Sequence, residues 1–342
     1  MKITKATIFA LTLALILSLI LAACVGNTPL DACPAAREAD TPKACEVYLN
    51  PQYPQGDPGQ GQLSGVETAY IPYCALPQTA TIFPLRDGWY YTTASGTRDP
   101  YIEGIFAPLY SKFVELFGRP VMTHTTVIIF CDVNAPCPML MPYVDRYYLR
   151  LAQQSTEYWS QMIYQLSHEM MHFAFFASFP EYNQNDLAML LDTQRSAWNE
   201  EIIAEAISLY MLRYMSENWQ RSPLAQANPG YASAIRSYLE SVYNEASQYP
   251  RPLKSAGEYV RREDFHSTFN RTCYANRADH MTERNHLYNL FLSARTEDIG
   301  EIINAYRYFN RDYKYIDYAA WISNARNPEF IRGVSAIQPR LQ

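Results

Sequence analysis

The chain has 342 residues, 48% apolar and 18% charged, with a formal net charge of −6 from 34 acidic and 28 basic residues. That apolar share can bury a sizeable core and excludes a mainly disordered chain, and the acidic balance sets nucleic acid aside as a partner. With only 13 glycines and no recurrence at a period of about 20–50 residues, a repeat array is excluded as well.

Lys2 and Lys5 precede an uncharged run from Ala6 to Ala23, which closes on Leu21-Ala22-Ala23-Cys24. A basic start, an apolar middle and a small-residue end predict a secretory signal over residues 1–23. The Leu-Ala-Ala-Cys ending resembles a bacterial lipobox. The resemblance implies that Cys24 is lipidated, becomes the first residue of the mature chain, and anchors it to the bacterial cell envelope on the extracytoplasmic side. An ordinary cleaved signal or an uncleaved anchor is the alternative. Taking residues 1–23 from the chain removes two lysines and no acids, which turns −6 into −8. An acidic domain of this kind is held at a membrane by lipid and not by a polybasic patch. Residues 24–65 are rich in Pro, Gly, Gln and Asp and read as a flexible tether. Residues 66–342 read as the folded domain.

Besides Cys24, six cysteines remain: Cys33, Cys45, Cys74, Cys131, Cys137 and Cys273. An even number in an oxidising compartment permits three disulfides. Short loops favour Cys33 with Cys45 and Cys131 with Cys137, which leaves Cys74 with Cys273; buried thiols are the alternative. No C-x-x-C pair exists, so a cysteine zinc site is not expected.

Tyr101 to Phe117 carries apolar residues at helical spacing and ends at Gly118, a C-cap. His124 to Asp132 is β-branched and reads as a buried strand, and Tyr143 to Ala152 alternates as a half-exposed one. Helices are predicted from Thr156 to Phe176, about Ala197 to Tyr214, Tyr231 to Gln248, Glu283 to Ala294 and Glu297 to Tyr306. Strands first and helices after give an α+β fold: a small N-terminal mixed sheet, then a mainly helical half.

The first long helix contains His168-Glu169-Met170-Met171-His172. Histidines four apart share a helix face, so both imidazoles can reach one ion while Glu169 sits beside a metal-bound water. Two core histidines that merely share a face are the bland alternative. A third ligand is required. Phe175 and Ser178 occupy the positions where a longer histidine motif would need glycine and histidine. The next helix instead offers Trp198-Asn199-Glu200-Glu201-Ile202-Ile203-Ala204-Glu205, where Glu201 and Glu205 share a face.

Together these two segments resemble the glutamate zincins (gluzincins), whose second helix reads Asn-Glu-Gly-x-Ala-Glu. The resemblance covers residues 165–206 with specific motifs and about 105–310 loosely. It implies a zincin-like fold and a Zn2+ ion held by His168, His172 and Glu201. It also implies Glu169 as general base, and Glu205 as an acid hydrogen-bonded to a ligating histidine. Aligning on Asn199-Glu200 instead would make Glu200 the ligand. Family members place an oxyanion-stabilising Tyr or His beyond the second helix, which makes His286 and Tyr288 the candidates. His124, His266 and His280 read as structural or exposed. Ile202 stands where the family has glycine.

The function implied is a lipid-anchored extracytoplasmic zinc peptidase acting on peptide or protein substrates. A non-catalytic surface binding or adhesion lipoprotein on the same fold is the alternative.

Overall fold

Asp87 and Gly88 have φ of 54° and 87°, the backbone of a two-residue hairpin turn. They join β2 (Thr79–Arg86) to β3 (Trp89–Thr92), which pair antiparallel with a bulge between Pro84 and Arg86. From β3 the chain enters α1 (Pro100–Phe117) and returns as β4 (Thr126–Cys131), parallel to β3. Asp99 starts α1 by accepting from the Tyr101 amide at 2.8 Å. Pro100 fills the first helical turn, and Gly118 ends the helix at φ 88° with its amide on the Val114 carbonyl.

The computed structural model describes residues 67–70, 79–133, 135, 137–143, 146–153, 155–179, 195–271, 273 and 277–342. The signal segment, Cys24 and the tether lie outside them. Strand β1 (Glu67–Tyr70) pairs with β2 at one side of the sheet. At the other, β6 (Arg146–Leu151) runs parallel to β4, and β5 (Met139–Tyr143) lies antiparallel to β6 on the edge. The mixed sheet therefore has the order β1-β2-β3-β4-β6-β5.

Two strands thus occupy the region where one half-exposed strand was expected. Pro142 lies within β5, which an edge strand tolerates because its outer amides need no ladder partner. Nor is β6 half-exposed. Tyr147 and Leu149 join the main core, while Tyr148 packs on the other face with Ile128, Phe130 and Met141.

Six longer helices follow or cover the sheet beyond α1: α2 (Trp159–Ser178), α3 (Ala197–Glu217), α4 (Tyr231–Asn244), α5 (Met281–Ser293), α6 (Tyr318–Asn324) and α7 (Pro328–Ser335). The expected Glu297–Tyr306 helix is a short α-helix, Thr296–Gly300, that continues as a 3₁₀ stretch, Glu301–Tyr308. Gly300 passes so close to α1 that an added Cβ would lie 2.3 Å from the Leu116 carbonyl oxygen. Only glycine fits that crossing. No described helix is long and apolar enough to cross a membrane.

Two expected disulfides are absent. Cys131 and Cys273 are thiols, and the Cys273 Sγ donates to the Asn270 carbonyl at 3.1 Å. Cys137 is disulfide-bonded to a cysteine outside the described residues. Cys131 ends β4 and Cys137 leads into β5, with β6 between those strands. Two strand spacings are roughly 10 Å, beyond the Cα separation a disulfide spans. The expected Cys33–Cys45 pair lies outside the described residues.

Helix α2 is fastened to the sheet by aromatic contacts. Trp89 is fully buried, donates its indole N–H to the Met122 carbonyl at 2.7 Å, and meets Phe173 edge-on at 5.1 Å. Tyr147 meets the same Phe173 ring edge-on at 5.6 Å. Such pairs add about 0.5–1.5 kcal/mol each beyond burial. They fix the rotation of α2, and with it the direction in which His168 and His172 point.

Candidate metal centre

His168, Glu169 and His172 lie mid-way along α2, and Glu200 and Glu201 on the first turn of α3. Glu169 and Phe173, four apart, share the sheet side of α2; the two histidines share the neighbouring side, toward α3. The start of α3 is fixed from the far end of the chain. The Trp198 indole donates to the Ile337 carbonyl at 2.8 Å. The Asn199 amide donates to Gln338 Oε1 at 3.0 Å and its oxygen accepts from the Tyr318 hydroxyl at 3.0 Å. With residues 198 and 199 turned outward and anchored, the next two side chains project back at α2.

Nε2 of His168 and Nε2 of His172 are 3.0 Å apart. Glu201 Oε2 lies 3.2 Å from the first, and Glu201 Oε1 3.4 Å from the second. Among the described residues these three side chains form the one group able to share an ion. Zinc bonds of 2.0–2.1 Å at tetrahedral angles put ligand atoms roughly 3.3–3.4 Å from one another. The observed separations lie near that spacing, with Glu201 meeting the two histidines through different oxygens, so the donor set suits a small divalent ion.

Glu200 does not join this set. Its Oε1 accepts from His172 Nδ1 at 2.5 Å and from Arg195 Nη2 at 2.9 Å, and its Oε2 accepts from the Tyr306 hydroxyl. Of the two alignments left open by the sequence, the geometry brings Glu201 to the histidine Nε2 atoms and puts Glu200 behind His172. Glu205, expected beside a ligating histidine, points elsewhere: its Oε2 is 3.4 Å from His280 Nε2 and 3.7 Å from Arg284 Nη1. One further turn along α3 carries it past the histidines. The Nδ1 of His168 is buried without a hydrogen-bond partner among the described residues.

Burial works against charge throughout, and neighbours decide the outcome. Burial lifts the Glu169 carboxyl above its ordinary value, with Glu201 adding to the rise and the two imidazoles opposing it. Glu201 stays well below the ordinary value despite burial, because His172 and His168 face it. Glu200 is likewise held below, with Arg195 and His172 outweighing desolvation. Burial pulls His172 down, but Glu201 and Glu200 more than offset this and push it up to about 10. An amide hydrogen bond from Leu140, on edge strand β5, reaches Glu169. A raised carboxyl beside a histidine pair is what a proton-transferring group requires.

His286 and Tyr288 are not brought to this centre. His286 Nε2 donates to the Gly333 carbonyl at 2.9 Å. Tyr288 packs against Tyr243, with Arg213 and Glu217 from the far end of α3 as its charged neighbours. Arg195 and Tyr306 are the site residues the sequence did not disclose. Arg195 falls just before α3, outside any helical period, and Tyr306 is one of 28 tyrosines.

The chain matches no family model, none of the curated proteins and none of the solved structures with which it was compared.

Proposed function

We propose that this chain is a gluzincin-type zinc peptidase with a zincin-like arrangement of its metal-binding helices, exported and tethered to the cell envelope through lipidated Cys24. The observation that carries the reading is the 3.0–3.4 Å spacing among His168, His172 and Glu201, with Glu169 alongside.

His168, His172 and Glu201 would hold the ion. Zinc bound by such nitrogen and oxygen donors supplies a Lewis acid for the scissile carbonyl and brings the pKa of water near neutrality. Glu169 takes a proton from the attacking water and returns it to the leaving amine nitrogen. Strand β5 borders this centre and is, among the described residues, the edge of the sheet, where an extended peptide can add as a further strand. Neither His286 nor Tyr288 enters the scheme, since both are engaged elsewhere. The Cys137 disulfide suits an oxidising, extracytoplasmic compartment.

The test is cleavage of a mixed peptide library by the purified mature chain, with and without chelator, beside Glu169→Gln. Hydrolysis should be abolished by chelator and restored by zinc. It should fall about 10²–10⁴-fold in Glu169→Gln, with metal content unchanged. Chelator-resistant cleavage or a fully active Glu169→Gln variant rejects the mechanism. Tight zinc with no turnover on any peptide points to the binding or adhesion lipoprotein instead. Mass spectrometry of the mature N-terminus tests the anchor: a diacylated or triacylated Cys24 is expected, and an unmodified terminus elsewhere rejects it.

A further inference from the structure

Glu200 is almost wholly buried, and an ionised carboxylate can only accept hydrogen bonds. Three donors converge on it: His172 Nδ1, Arg195 Nη2 and the Tyr306 hydroxyl. Because the carboxylate brings no proton, the hydrogen between Glu200 and His172 belongs to Nδ1. His172 therefore presents its Nε2 to His168 and Glu201. The same Arg195 nitrogen also donates to Glu201 Oε1 at 2.9 Å. Oε1 is thereby shared between Arg195 and His172 Nε2, 3.4 Å away, while Oε2 lies 3.2 Å from His168 Nε2.

Neither donor is a casual surface contact. The Tyr306 ring sits edge-on to Phe175 and Phe179, each at 5.7 Å, so its hydroxyl is aimed by packing against the end of α2. The Arg195 side chain is only 13% exposed. It faces the carboxylates of two consecutive residues, Glu200 and Glu201, that would otherwise repel each other.

We propose that Arg195 and Tyr306 are positioning residues of the metal centre: through Glu200 they set the ring orientation and tautomer of His172, and Arg195 selects which Glu201 oxygen meets the ion. This rests on the metal-centre reading above. Residues of this kind, which bond to ligands rather than to the metal, commonly change metal affinity by about 10–100-fold when replaced.

The experiment uses the full mature chain. Zinc dissociation constants are measured by competition with a chromophoric chelator, and the cobalt(II)-loaded protein is examined by visible absorption. Wild type, Tyr306→Phe, Arg195→Met, Arg195→Lys and the control Arg213→Met are compared, with circular dichroism reporting the fold. Tyr306→Phe and Arg195→Met should each weaken zinc about 10–100-fold and shift the cobalt bands. Arg195→Lys should regain part of the affinity, and Arg213→Met, which breaks only an ion pair with Glu217 at the far end of α3, should match wild type. Should Arg195→Met fail to fold, Tyr306→Phe, which removes a single oxygen, decides the matter. Zinc affinity within twofold of wild type and unaltered cobalt spectra in the folded variants overturn the proposal while the metal reading stands. A wild-type chain that takes up no metal removes both.

Discussion

Helix α3 carries two polar clusters, and their difference separates the proposed metal centre from a structural tie. Around Glu201, three groups with lone pairs face a common point at 3.0–3.4 Å. A single guanidinium, Arg195, is bonded to the two carboxylates of α3 there. Around Glu205, one turn on, the chemistry is built on guanidinium groups. The fully buried Arg284 stands between Glu205 at 3.7 Å and Glu245 at 3.6 Å, and donates to the Val242 carbonyl at 2.7 Å. Nearby, Arg251 forks onto both oxygens of Glu283. In the second cluster the cations are already part of the protein, and they tie α3, α4 and α5 together. In the first, two imidazoles and a carboxylate converge on one another instead.

The largest effect that can sharpen this contrast is on folding. Arg284→Met removes a fully buried guanidinium from between the buried Glu205 and the partly exposed Glu245 and should cost about 3–5 kcal/mol. In a domain of this size that lowers the melting temperature by roughly 6–15 °C. Zinc should still stabilise the folded variant; if it does not, the two clusters are one unit and the contrast fails. Next in size is the response to metal. Zinc at 100 times its Kd should raise wild-type stability by about 2.7 kcal/mol, measured as a thermal shift. His168→Ala should abolish that shift and Glu205→Gln should keep it. An equal response from both variants would erase the distinction.

The smallest effect concerns pH. Burial raises the Tyr318 hydroxyl above its ordinary value, and that hydroxyl braces Asn199 at the start of α3. A raised folded pKa means the folded state keeps its proton where the unfolded chain loses it. The stability is thus intact below the unfolded value of about 10 and falls as pH rises above it. Denaturant midpoints between pH 9 and pH 11 should decline in wild type and decline less steeply in Tyr318→Phe. Parallel slopes would show that Tyr318 is not responsible.

The histidine pair and its partner helix were legible because helical spacing is local: four residues fix a shared face. The α+β order, the buried β4 and the Gly118 stop were legible for the same reason. Glu205 was misassigned because spacing along α3 gives a face but not which neighbour covers it, and α5 covers that part. His286 and Tyr288 lie on an element of the expected kind. Their surroundings are set by α7 and by the far end of α3, which no local pattern encodes. The Asp87-Gly88 hairpin was present in the sequence as a turn signal that went unread. The edge strand β5 was masked by prolines whose tolerance depends on having no outer neighbour. Arg195 and Tyr306 reach Glu200 across 5 and 106 residues, and only the folded packing brings them together.

The grip of residues 318–338 on Trp198 and Asn199 has a consequence for a chain that emerges N-terminus first. The Glu201 carboxylate acquires its aim only when residues 318–338 have folded against the start of α3. A nascent polypeptide that has not yet placed them therefore lacks the finished arrangement of His168, His172 and Glu201.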